Sequence, residues 1–391
     1  MALKELTGLN WPLVFTIIVL IILAAVEIYS SRINQGKNFP WVALLTAALI
    51  VAGLWISASI VRILALDVAA LLLAWFVWQQ DKKAGQLFLS AVLVGSILIA
   101  IGMAVGGLFG NEASTAPEGT TLKIVICLIL VGFAIKLAAI PFSFWLAPLA
   151  EKSTPMTAVL VISLLDMAEL GELAMLRVEA PWLFTSVQVV WIVLALLSMF
   201  GGAMLAMAQT NIRRMLAFST IDDIGYLILG ITAGSVGGIL GALIGALSHS
   251  LCKFLLFGAV GVAEKDLKHP LTLNDNGQAS KNPVAGAAFI AGALGMIGVP
   301  PLMGFLGRWR LYFSGIEIGG LVLGITMALA TALALLYYVR AIHRVWLGQP
   351  SGDNKKNKVK ISQIDLSFIF LIILMIIACL FPGILPGIGG R

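Results

Sequence analysis

A chain of 391 residues with 60% hydrophobic and 11% charged residues carries less than half the charge of an ordinary soluble domain, about 25%. That leaves too little polar surface to cover a water-soluble core, so its long apolar stretches mean lipid contact. The net charge of +6 is not a nucleic-acid footprint, because most Lys and Arg sit in short loops between apolar runs, where they set membrane orientation.

Counting runs of roughly 20 apolar residues predicts an all-α polytopic membrane protein of about 12 spans. They cover 12–29, 40–60, 62–79, 86–109, 122–150, 155–177, 182–208, 213–231, 237–262, 284–313, 317–346 and 363–388. The first run resembles a signal peptide in length. Only Lys4 precedes it and no A-x-A-like site follows, so it reads as a retained helix.

Basic residues orient the spans. Arg32 and Lys37, Lys82 and Lys83, Lys152, Arg213 and Arg214, Lys265, Lys268 and Lys281, then Arg340, Arg344, Lys355, Lys356, Lys358 and Lys360 all fall on one side if the spans alternate. Segments 110–121 and 232–236, on the other side, contain no Lys or Arg, and Lys123 is a minor exception. The positive-inside rule puts the rich side in the cytoplasm and both termini outside a cell (inner, cytoplasmic) membrane.

Two spans are interrupted. Pro141 frees the carbonyl of Leu137, and Pro300 and Pro301 free those of Met296 and Ile297, because proline lacks an N–H and its ring clashes with the carbonyl four residues back. Broken backbone at membrane depth is tolerated only inside protein or beside a water-filled cavity. The surrounding sequences "KLAAIPFSFWLAPL" and "GMIGVPPLMGFLGRWRL" are alike, and each break falls in the fourth span of its half. Five spans match five spans. Five is odd, so the repeats are inverted, which points to a transport path at their interface. The expected organisation is an N-terminal helix (1–39), a first repeat (40–177), a second repeat (178–346), then a basic loop and C-terminal helix (347–391).

Ionisable residues inside the spans are the candidate site. A Lys, Arg or Asp at the bilayer centre costs about 2.5–3.5 kcal/mol. They must therefore face inward, pair, or contact water. Lys136 lies five residues before Pro141, where it is either a proton carrier or a lysine snorkelling to the interface. His249 and Lys253, four apart, share a helix face as exchangeable groups or as a polar pair joining two helices. Asp67 is either a carrier or a partner of Arg62. Asp166, Glu169 and Glu172 follow at i, i+3 and i+6, and like charges so close cannot easily both ionise. The alternative puts Glu172, or Glu172 and Glu169 together, near the outer interface with Arg177. Asp222 and Asp223 cap a helix, pair with Arg213 or Arg214, or function. Arg308 follows the second break and, because arginine does not deprotonate in proteins, sets a field without relaying protons. Arg310 and Glu27 read as interfacial.

Cys127, Cys252 and Cys379 form no CxxC pair and the three His are scattered, which argues against a disulfide framework, haem or a metal site. No P-loop, dinucleotide fingerprint or nucleophile elbow is present. No cofactor is expected, and lipids are the expected surroundings.

At these residues the chain resembles the antiporter-like membrane subunits of proton-pumping NADH:quinone oxidoreductase, the Mrp sodium/proton antiporters and the membrane-bound hydrogenases. The matching segments are "FAIKLAAIPFSFWLAPLAEKSTPMTAVL", "AMAQTNIRRMLAFSTIDDIGYLILGI", "SHSLCKFLLFGAVGVAE" and "GVPPLMGFLGRWRLYFSG", over roughly residues 60–315. The resemblance implies a core of inverted five-helix repeats with an axis of buried charges, Asp67–Lys136–Asp166–(His249/Lys253)–Arg308. It also implies partner membrane subunits and a peripheral redox arm, with no redox chemistry in this chain. Three positions depart from the family pattern: Asp67 stands where Glu is usual, Asp166 where Lys or His is usual, and Arg308 where a titratable residue is usual.

Overall fold

The computed structural model describes residues 10–56, 58–109, 115–349 and 361–382. Lys4, Lys355, Lys356, Lys358, Lys360 and the end of the last predicted span lie outside these. In chain order the helices are α1 (Trp11–Ser30), α2 (Phe39–Trp55), α3 (Ser59–Gln80), α4 (Lys82–Val105), α5 (Gly119–Lys136), α6 (Leu146–Lys152), α7 (Pro155–Val159), a π-helical turn (Leu160–Leu165), α8 (Asp166–Glu179), α9 (Trp182–Thr185), α10 (Gln188–Ala208), α11 (Ile212–Ala233), α12 (Val236–Leu267), α13 (Gln278–Lys281), α14 (Pro283–Ile297), α15 (Gly304–Ala341), a second π-helical turn (Ile342–Trp346) and α16 (Gln363–Leu380). Among the described residues, nine helices are long and apolar enough to cross a membrane, and α2 and α14 are shorter apolar helices. Gly320, at φ 64° and ψ −169°, divides α15, so the predicted spans 284–313 and 317–346 are both present. Segment 182–208 does not form one helix, because Val187 leaves helical geometry between α9 and α10.

Local chemistry sets several boundaries. Asn211 accepts from the Arg214 N–H at 3.1 Å and Ser235 from the Gly238 N–H at 3.2 Å, capping α11 and α12. Gly234, at φ 69°, turns the chain between them. Ser362 and Asp365 form a reciprocal capping box on α16. Helices α11 and α12 are buried almost all round and form the centre, with α10, α14 and α15 packed against them and α3 to α5 to one side.

The ends of the helices alternate as the basic residues require. Lys265 donates to the Arg32 carbonyl at 3.3 Å, Arg213 to the Ser153 carbonyl at 2.5 Å, Arg214 pairs with Glu151 at 2.9 Å, and Arg340 donates to the Gln209 carbonyl at 3.0 Å. All these loops therefore meet at one end of the bundle. Arg62, Glu172 and Glu179 gather toward the other.

Both expected breaks are present and match position for position. In the first, Ala138 adopts φ 51° and the Ala139 N–H reaches back to the Ala134 carbonyl at 2.8 Å; in the second, Gly298 adopts φ 86° and the Val299 N–H reaches the Leu294 carbonyl at 2.9 Å. Three residues after each left-handed residue comes a cis proline, Pro141 or Pro301. The Trp145 indole donates to the Ile135 carbonyl at 2.9 Å, and the Arg308 guanidinium to the Met296 carbonyl at 2.7 Å. The Ile135 and Met296 carbonyls at the breaks are thus satisfied inside protein, as membrane depth demands.

Candidate functional site

The site grows from helix interiors. Asp67 lies mid-way along α3, and its Oδ1 accepts from Ser96 at 2.6 Å and from the Lys136 ammonium at 2.8 Å. Lys136 ends α5 at the first break, and its Nζ also lies 2.5 Å from Glu169 Oε1. Two carboxylates therefore share one buried lysine. Gly95 makes room for it, since a Cβ there would lie 2.6 Å from Lys136 Cγ. The lysine points inward rather than snorkelling, and Asp67 pairs with Lys136 rather than with Arg62.

One turn earlier on the same helix lies Asp166, buried and within electrostatic range of both Glu169 and Lys253. The π-helical turn directly precedes it. There the Ser163 hydroxyl donates to the Ser250 carbonyl at 2.7 Å and the Ser250 hydroxyl to the Ser163 carbonyl at 2.8 Å. This reciprocal clasp fixes Asp166 against the α12 face that carries Lys253. Such turns widen the helix locally and are frequent at functional sites.

Lys253, fully buried, donates to the Leu216 carbonyl at 2.9 Å and the Ser219 hydroxyl at 2.8 Å. Asp222 and Asp223 follow on that side of α11. Asp223 bridges two cationic or titratable groups, with Oδ1 2.6 Å from the Arg308 guanidinium and Oδ2 2.8 Å from His249 Nδ1. Arg308 also lies over the Tyr226 ring, 3.7 Å from its centre. Tyr337 donates to Asp222 at 2.9 Å.

All seven candidate side chains are thus brought together: Asp67, Lys136 and Glu169 in direct contact, Asp166 and Lys253 next to them, then His249 and Arg308 on Asp223. Two of the alternatives left open by the sequence are not what the structure shows. Asp222 and Asp223 neither cap a helix nor pair with Arg213 or Arg214, which hold Glu264 and Glu151. They lie about ten residues inside α11, roughly 15 Å from its start, and that depth carries them to Arg308 and Tyr337. Glu172 is not beside Arg177. It forms a buried bidentate pair with Arg62, because α3 rather than the chain end of α8 faces it. The predicted span 213–231 already placed both aspartates mid-membrane, and that signal was available from sequence.

A model of the NADH:quinone oxidoreductase/Mrp antiporter transmembrane family matches residues 60–334. The chain belongs to that family. Among curated relatives, it is 28% identical to NADH-quinone oxidoreductase subunit N of Salinibacter ruber over 364 residues, covering 87% of this chain and 71% of the relative. It is also 28% identical to subunit N of Rhodospirillum rubrum over 348 residues, covering 82% and 70%. Its fold matches a chain of the Mrp complex from Dietzia sp. (TM-score 0.83, 20% identity, 96% of this chain and 82% of that one). It also matches a chain of respiratory complex I from Thermus thermophilus (TM-score 0.79, 21% identity, 97% and 87%). The chain is accordingly a multi-pass membrane protein with the antiporter-like fold.

Proposed function

We propose that this chain is the proton- or cation-translocating membrane subunit of a redox-driven complex of the NADH:quinone oxidoreductase or membrane-bound hydrogenase type. The observation that carries the reading is a line of ionisable groups through the helix interiors: the contacts Asp67–Lys136–Glu169 at one end, His249–Asp223–Arg308 at the other, and buried Asp166 and Lys253 between them. Isolated charges at this depth are expensive, and here they meet each other across the two halves. Asp223 extends the candidate set expected from sequence by joining His249 to Arg308. In the proposed mechanism, redox energy released in a peripheral arm changes the charge at one end of the line. Each protonation change then alters the field on the next group, so protons move stepwise without redox chemistry in this chain. Residues 40–177 and 178–346 act as inverted repeats, with the line crossing their interface and both termini outside the inner membrane.

The test is Lys136→Ala and Lys253→Ala in the assembled complex. Redox-linked proton movement should be lost in both, with assembly retained. Movement at the wild-type rate in both variants would overturn the pathway.

The fold match to an Mrp complex favours one second reading, a sodium/proton antiporter subunit. Vesicles holding the purified protein would then exchange sodium for protons with no redox partner. A third reading, a scaffold, is motivated by the untitratable Arg308 and by Asp166 at a usually basic position. It requires the complex to keep pumping when the line is neutralised and to fall apart when the chain is removed.

A further inference from the structure

A groove of about 620 Å³ runs between α1 and α16, walled by Leu20, Ile21, Ile28, Leu366 and Phe370, with Ala24 among its small lining residues. Gln363 closes one end, where its side-chain oxygen accepts two hydrogen bonds from the Arg32 guanidinium, at 2.9 and 3.2 Å. Lys265 donates to the Arg32 carbonyl beside it. Both cations are exposed, and neither has a carboxylate within 4 Å among the described residues. Three other arginines at this end are differently engaged: Arg213 is held by Glu264 and Arg214 by Glu151, while Arg340 donates to the Gln209 carbonyl.

We propose that this groove binds one anionic phospholipid, with an acyl chain between α1 and α16 and its phosphate on Arg32 and Lys265. Length separates a lipid from a partner's spanning helix. From Leu20 to Ile28 the groove extends over about 12 Å of helix, whereas the hydrocarbon core is about 30 Å thick. It therefore reaches less than half-way across, the depth of one leaflet, and starts at the basic end. Charge separates an anionic from a zwitterionic lipid, since basic residues near the surface attract anionic headgroups. Nearby carboxylates are engaged elsewhere: Glu27 accepts from Ser30, and Asp365 caps α16.

The test uses the full chain reconstituted in vesicles of phosphatidylglycerol and phosphatidylcholine at one to three, then released for native mass spectrometry. Wild-type protein should retain one phosphatidylglycerol, with a bound phosphatidylglycerol-to-phosphatidylcholine ratio at least tenfold above that of the vesicle. The surface variant Arg32→Gln/Lys265→Gln should lose that enrichment. Ala24→Trp, which fills the groove at an exposed position, should lose the lipid with both cations in place. The control Lys82→Gln/Lys83→Gln, of equal charge change, should keep it. Equal retention of the two lipids by wild type, or unchanged enrichment in Arg32→Gln/Lys265→Gln, overturns the site. So does a cross-link from Ala24→Cys to another subunit in the assembled complex, which would make the occupant a protein.

Discussion

Replacing Arg62 with leucine removes one half of an ion pair that lies entirely out of solvent. The Arg62 and Glu172 side chains are 3% and 2% exposed, so solvent screening does not discount their interaction. Removing one partner of a buried pair strands the other charge and costs about 3–5 kcal/mol, whereas replacing both with apolar residues of similar volume is neutral or stabilising. Glu179, 3.7 Å away and 31% exposed, is half-open to solvent and compensates little. Arg62→Leu and Glu172→Leu should therefore each destabilise by about 3–5 kcal/mol, and the double variant by less than either alone. The coupling energy would be several kcal/mol, far beyond the ~0.5 kcal/mol scatter of independent sites. A double-mutant cycle on reversible unfolding in mixed micelles reads it directly, and the thermal midpoint by fluorescence-detected gel filtration gives the ranking. Additive losses, or single variants within 1 kcal/mol of wild type, would show that the pair is solvated in the membrane.

Further expectations follow from single contacts. Tyr226→Leu removes the ring under Arg308, a desolvated cation–π contact worth about 2 kcal/mol, and should lower the melting midpoint more than Tyr312→Leu. Gly95→Ala presses on the Lys136 stem at 2.6 Å, so it should cost about 1–3 kcal/mol as overpacking and reduce ion movement without removing a charge. Ala138→Gly relieves a left-handed conformation costing roughly 1–2 kcal/mol for an L-residue, offset by about 0.4–1 kcal/mol of added unfolded-chain entropy. The net effect should be neutral to slightly stabilising, while Ala139→Gly next to it should destabilise. Cysteine at Lys37 should react with a membrane-impermeant thiol reagent only from the cytoplasmic face, and labelling from outside would invert the assigned orientation.

The fold was legible because lipid makes sequence unusually informative: apolar length marks spans, and proline marks where they break. The members of the site were legible for a related reason, since a charged residue in such a run has few innocent explanations. Their partners were not. Asp223 and Arg308 are 85 residues apart and meet only because α11 and α15 pack together, a tertiary fact with no local signature. Glu172 looked superficial because Arg177 was the cation nearest in sequence, and only the packing of α3 against α8 gives it to Arg62. The π-helical turn before Asp166 was equally hidden: Ser163 and Ser250 carry no pattern that announces a mutual clasp.

The paired breaks have a consequence for direction. Each has a positive group beside it, but Lys136 sits two residues ahead of Ala138, while Arg308 arrives ten residues beyond Gly298 and reaches back to Met296, the site equivalent to Lys136. One cation can hand its proton on, and the other, being arginine, cannot. On the proposed pathway, traffic on the second side then detours through Asp223 and His249, around a charge that never switches off. If protons follow that pathway, the two matching hinges act on them as a valve with one moving and one fixed jaw.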